Sequence, residues 1–137
     1  MGAHAWSYFI PFQEDIAAAL ESLRQREFEA GRYHKCYQGP ALAPRSVEEA
    51  LERSGESGTR SILDMAGGLS DAPDFFCVCP LEASKLISLF GTDQPTHEMV
   101  EQNPDFYEDI ERGHGVVIVV HSKGEPTELF FGGYSFD

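Results

Sequence analysis

Val116 to Val120 is an unbroken run of five β-branched residues, opened by Gly115 and closed by His121 and Ser122. Branching at Cβ stiffens these side chains and suits them to the pleated surface of a strand. A run without a polar residue belongs in the centre of a sheet. Thr127 to Gly132 reads as a second strand, and the Ser-Lys-Gly-Glu-Pro stretch between the two supplies a hairpin connection. At five residues the run is far short of the roughly 20 that cross a bilayer, so no membrane span is expected.

Other elements can be placed around this hairpin. Trp6 to Phe12 is aromatic-rich and predicts a first strand, which Pro11 confines to an edge or a strand end. Gln13 to Ala30 predicts a helix with Ile16, Leu20 and Leu23 on one face and Gly31 as its stop. Ser46 and Glu49 fit the capping box of a short helix ending near Gly55. Cys36 to Arg45, with its glycine and prolines, is a loop. Ser61 to Met65 and Phe75 to Cys79 read as strands, with Gly67 to Pro73 a turn-rich link between them. Leu81 to Phe90 is a helix stopped by Gly91, Thr96 caps a short helix through Gln102, and Asn103-Pro104 restarts one that runs to Arg112. The order β-α-α-β-β-α-α-β-β predicts an α+β fold: an antiparallel-dominated sheet of about five strands with helices packed mainly on one face. At 137 residues, one domain spanning 1–137 is expected.

Charge is unevenly placed. The chain carries 23 Asp and Glu against 10 Lys and Arg, for a net charge of −13, and the acidic excess is heaviest in residues 92–137. Such a surface repels phosphate backbones, so nucleic acid is not an expected partner. Three cysteines are an odd number, and Cys77 and Cys79 stand too close to bridge within a strand. Without an export leader in the sequence, a cytoplasmic protein is expected.

Several residue sets invite chemistry. His34 and Cys36, with Cys77 and Cys79, are soft ligands two apart in pairs, and four such ligands suit tetrahedral zinc. The spacing is not the usual C-x-x-C, and buried cysteine packing explains it more simply. Cys77 or Cys79 with one of the five histidines would make a thiol nucleophile, but no local signature accompanies them. His97 and Glu101 share a helix face without the second histidine of H-E-x-x-H. Glu27 falls within the apolar stripe of the first helix, so it must be paired or have a raised pKa, and it is a candidate pocket residue. Asp105, Glu108, Asp109 and Glu111 form an acidic face suited to solvation or to a basic partner. Gly132 and Gly133 allow close approach of another backbone or a ligand.

In size, acidity and lack of catalytic signatures the chain resembles bacterial immunity and inhibitor proteins that mask a basic toxin. That resemblance implies a protein-binding module docking through Asp105, Glu108, Asp109 and Glu111. The competing class is a small enzyme or small-molecule binder with a pocket between sheet and helices, and the third is a structural zinc module. The edge near Trp6 also offers pairing to a second copy, with Pro11 as protection against it.

Overall fold

The computed structural model describes residues 3–35, 43–55 and 58–136. Strand β5 (Glu125–Tyr134) folds back on β4 (Gly115–Ser122) through Lys123 and Gly124, at φ 54° and 82°. A two-residue turn with both residues left-handed matches the twist of the strands it joins. Along its other side β5 pairs antiparallel with β1 (Ala5–Pro11), from Ala5 opposite Tyr134 to Pro11 opposite Glu128. On the opposite flank β4 runs parallel to β3 (Cys77–Pro80), which runs parallel to the two-residue β2, Gly68–Leu69. The sheet order is β1-β5-β4-β3-β2, which puts the Val/Ile run in the middle.

The sheet is mixed rather than antiparallel-dominated, with two antiparallel and two parallel neighbouring pairs. For β3 and β4 the cause is the segment 81–114, which carries α3 (Ala83–Phe90), α4 (His97–Gln102) and a 3-10 turn at Pro104–Asp109. A crossover that long carries the chain back past the strand it left to the end where β3 began, so β4 starts beside the start of β3. The 3-10 turn stands where a helix to Arg112 was expected.

Helices also cover both faces rather than mainly one. Helix α1 (Ile16–Glu29) and helix α2 (Val47–Ser54) bury Leu20, Leu23 and Ala50 with Val78, Val117, Leu129 and Phe131. Leu86 of α3, Val100 of α4 and Phe106 of the 3-10 turn pack against Val116, Ile118, Val120 and Phe130 on the opposite side. Side chains alternate along a strand, so an apolar run such as Val116–Val120 needs cover on both sides.

Helix starts follow local chemistry. The Asp15 carboxylate accepts from the Ala18 N–H, and Ser46 Oγ accepts from the Glu49 N–H at 3.1 Å. The Glu49 carboxylate turns instead to Arg53, at 2.9 Å. Ser61 to Met65 is not a strand: Ile62–Asp64 is a 3-10 turn. Ser61 Oγ accepts from the Leu63 N–H, and Asp64 Oδ1 accepts from both the N–H and the hydroxyl of Thr59. These bonds compete with any ladder, and they turn Ile62, Leu63 and Met65 all inward. The strand preceding β3 is β2, inside the link expected to be only a turn.

At the end of the sheet where β4 begins, Gly115 and Gly133 face each other across β4 and β5. The Trp6 indole lies over this pair: a Cβ on Gly133 would stand 2.6 Å from Trp6 Cζ2, and one on Gly115 3.0 Å from Trp6 Cη2. The close approach that glycine permits here is taken up by the protein's own tryptophan. Beside it, Tyr107 Oη donates to the Trp6 carbonyl at 3.0 Å, tying the 3-10 turn to the outer strand. Among the described residues, no helix is long and apolar enough to cross a membrane.

Candidate functional site

The starts of β3 and β4 and the end of β5 lie together, and three phenylalanines stand on the segments that lead into or out of them. Phe75 and Phe76 precede β3, and Phe136 follows β5. They are 49%, 42% and 50% exposed. Their ring centroids are 5.8 Å apart for Phe75 and Phe136, 6.2 Å for Phe76 and Phe136, and 6.3 Å for Phe75 and Phe76. Phe75 also meets the His114 ring edge-on at 4.9 Å. Together they form an exposed aromatic ridge.

Backbone geometry holds the ridge in place. Phe76 has φ +59°, a left-handed conformation that bulky residues rarely adopt. Its N–H donates to the Gly113 carbonyl at 2.6 Å, and its carbonyl accepts from the Gly67 N–H at 2.8 Å. Gly113 itself has φ +77°, and a Cβ there would stand 3.1 Å from Phe136 Cδ2 and 3.2 Å from Phe75 Cδ1. Glycine therefore lets two of the rings close over the chain. Half-exposed phenylalanines leave about 250 Å² of aromatic surface in water between them, and covering it is worth about 6 kcal/mol.

A cleft flanks the ridge on each face of the sheet. One, of about 340 Å³, lies between β3, β4, α3 and the 3-10 turn. The buried Cys79, Phe106 and Val116 line it together with the exposed Asp71, Glu82 and Asp109, and with Lys85, whose ammonium pairs with Asp109. The other, of about 550 Å³, is walled by Leu51, Phe76 and Phe136 and by Asp64. Asp64 is 7% exposed, and burial raises its pKa against the opposing bonds from Thr59 and Arg60.

The structure distributes the residues singled out from the sequence. Asp105, Glu108, Asp109 and Glu111 are all exposed. They follow the 3-10 turn and its exit rather than one helical face, with Asp109 in the smaller cleft and Glu111 3.9 Å from His114 Nε2. Glu27 lines neither cleft. It is 3% exposed and is gripped by Arg32, whose Nε and Nη2 donate to its two oxygens at 2.9 and 2.7 Å. That bond holds its carboxyl below the usual range, so pairing rather than protonation accounts for a carboxylate in the apolar stripe.

The zinc set does not assemble among the described residues: no three His, Cys, Asp or Glu come together to hold a metal. Cys36 lies outside the described residues, and His34 is exposed. Cys79 faces the smaller cleft, but burial, then Glu82 and Asp71, push its thiol pKa up. That is the opposite of what activates a thiol nucleophile. His97 is stacked on Phe9 at 3.9 Å and bonded to Glu128 at 2.9 Å as well as to Glu101 at 3.4 Å. The ridge itself was missed. Its signal was the adjacent pair Phe75-Phe76 directly after the turn-rich Asp71-Ala72-Pro73-Asp74, since neighbours at the start of a strand point to opposite faces.

No family model, no curated protein and no solved structure matches this chain.

Proposed function

We propose that this protein is a docking module that grips a basic protein segment at the aromatic end of its sheet, in the manner of an immunity or inhibitor protein that masks its partner. The ridge of Phe75, Phe76 and Phe136 carries the reading. Clustered exposed aromatics are the usual centre of an interaction surface, and Phe76 is kept outward in a backbone conformation that costs free energy. Asp71 and Asp74 precede the ridge, and Glu111 approaches the histidine under Phe75. The acidic residues Asp105, Glu108 and Asp109 extend this rim along the 3-10 turn. The aromatic surface supplies affinity, and the carboxylates favour a partner rich in Lys and Arg and speed its encounter. The setting proposed with it is cytoplasmic, where Cys77 and Cys79 stay reduced.

Selection of a random peptide library on the wild-type protein tests the proposal. The expected winners combine Lys or Arg with apolar residues, and Phe75→Ser/Phe136→Ser weakens them by about thirtyfold, roughly 2 kcal/mol. Selected peptides that bind this variant as tightly as wild type would overturn the reading.

A further inference from the structure

The smaller cleft has an uneven chemistry. Its floor is apolar, made of Cys79 and Val116, which pair across β3 and β4, with Phe106 from the 3-10 turn. All three are buried. Its rim carries the exposed carboxylates Asp71, Glu82 and Asp109. Among the described residues lining it, Lys85 is the sole lysine or arginine, and it is already engaged with Asp109. Negative charge therefore exceeds positive charge at the opening, and on the floor a charge would meet nothing more polar than the Cys79 thiol. The Cys79 thiol senses two of these carboxylates, since Glu82 and Asp71 add to burial in raising its pKa. At about 340 Å³ the cleft is at the small end of ligand sites, roomy enough for one apolar side chain together with part of the backbone and flanking stems that carry it.

An arginine entering tip first would put its charge on the apolar floor and its stem at the acidic rim, which is the wrong way round. The arrangement fits an apolar group pointing inward with cations beside it at the opening. We propose that the cleft is the anchor pocket for the docked segment: it receives one leucine-sized apolar side chain whose neighbouring lysine or arginine residues pair with Asp71 and Glu82. The inference rests on the docking reading above and adds the anchor and its flanking charges. Commitment to a protein segment follows from the continuity of the cleft with the ridge: His114, which Phe75 contacts, is part of the cleft wall.

The test is a titration followed by amide NMR, with the blocked tripeptide Lys-Leu-Lys as probe and Lys-Ala-Lys, Glu-Leu-Glu and phenethylamine as comparisons. The expected result is saturable shifts at the amides of Cys79, Lys85, Ile110 and Val116 with Lys-Leu-Lys alone among the peptides. Asp71→Asn/Glu82→Gln, both at exposed positions, should weaken it by about fivefold. Equal binding of Lys-Ala-Lys would overturn the apolar anchor, and equal binding of Glu-Leu-Glu would overturn the flanking cations. Tighter binding of phenethylamine would assign the cleft to a free amine and overturn the commitment to a segment. Phe75→Ser/Phe136→Ser separates the two proposals. If the tripeptide fails on wild type while library peptides still need the ridge, only the anchor is wrong. If the tripeptide binds as expected while library peptides ignore the ridge, the docking surface is wrong.

Discussion

Gly133→Ala removes nothing from the protein and adds one methyl group, yet its effect should be large. The new Cβ would stand 2.5 Å from the His114 carbonyl oxygen, 2.6 Å from Trp6 Cζ2 and 2.9 Å from Gly115 Cα. Two of these neighbours are backbone in the central strand pair or at its entrance, and the third is a ring only 6% exposed. None can retreat without opening the β4–β5 ladder or lifting Trp6 off the sheet. Overpacking of this kind costs about 3 kcal/mol, and for a chain of this length that lowers Tm by about 10 °C. Gly124→Ala is the control, because its φ is +82° and nothing lies within 4 Å of the added Cβ. It pays only the left-handed conformation, about 1 kcal/mol. Urea unfolding followed by Trp6 fluorescence reads both quantities, since Trp6 is the sole tryptophan. Folded Gly133→Ala should also emit at longer wavelength than wild type as the indole is pushed toward water. If Gly133→Ala costs no more than Gly124→Ala and leaves the emission unmoved, the packing of Trp6 over the glycine pair is wrong.

Two further tests concern charge. His97 is bonded to Glu128 and Glu101, and the Glu128 bond chiefly raises its pKa. Its contribution to stability is therefore complete below the unfolded value near 6.5 and is lost as pH rises through the higher folded value. Urea unfolding at pH 5.5 and 8.5 should show wild type losing more stability with rising pH than His97→Gln; equal losses would refute the contribution. Arg32→Ala leaves Glu27 buried with Arg26, at 3.5 Å, as its remaining ion-pair partner among the described residues. The substitution should destabilise the protein at neutral pH, though by less than breaking a fully buried pair would, because the Arg32 side chain is mostly in water. Because the folded pKa of Glu27 is depressed, its stabilisation is present above the unfolded value of 4.5 and disappears as pH falls through the folded one. The gap between wild type and Arg32→Ala should therefore close in acid, and a gap that persists at pH 2.5 would point to lost packing instead.

Much of the fold was legible because local chemistry and burial agreed. The Val116–Val120 run lies in the central strand, Lys123-Gly124 makes the hairpin, and Ser46, Thr96 and Asn103 each accept a backbone N–H at a helix start. The overall order of elements also matches, although its second strand is Gly68–Leu69 and not Ser61–Met65. Ser61 to Met65 has strand-like composition, but Ser61 and Asp64 bond local backbone and side-chain groups that no periodicity count includes. Cover on both faces was implied by the same central run and was outweighed by reading the helices as one layer. The parallel pairing of β3 with β4 was not legible, because the direction of β4 depends on where the 81–114 crossover returns. At the candidate site, the sequence exposed the acidic residues, while the ridge required Gly113 and Phe76 to take left-handed conformations that bring distant segments together.

Pairing of β1 with β5 joins the first and last strands of the fold. The His4 N–H donates to Ser135 Oγ at 2.8 Å across 131 positions, and the Ser135 N–H donates back to the His4 carbonyl at 2.9 Å. During vectorial synthesis, residues 5–11 emerge well before β5 and have no strand to join until β5 clears the ribosome. Trp6 spends that interval without its glycine platform, and one flank of the sheet stays unzipped. Completion of this fold is therefore a late, long-range event of the kind that is slow and prone to mispairing. The aromatic ridge, with Phe136 one residue beyond the closing bond, becomes whole only when that event is finished.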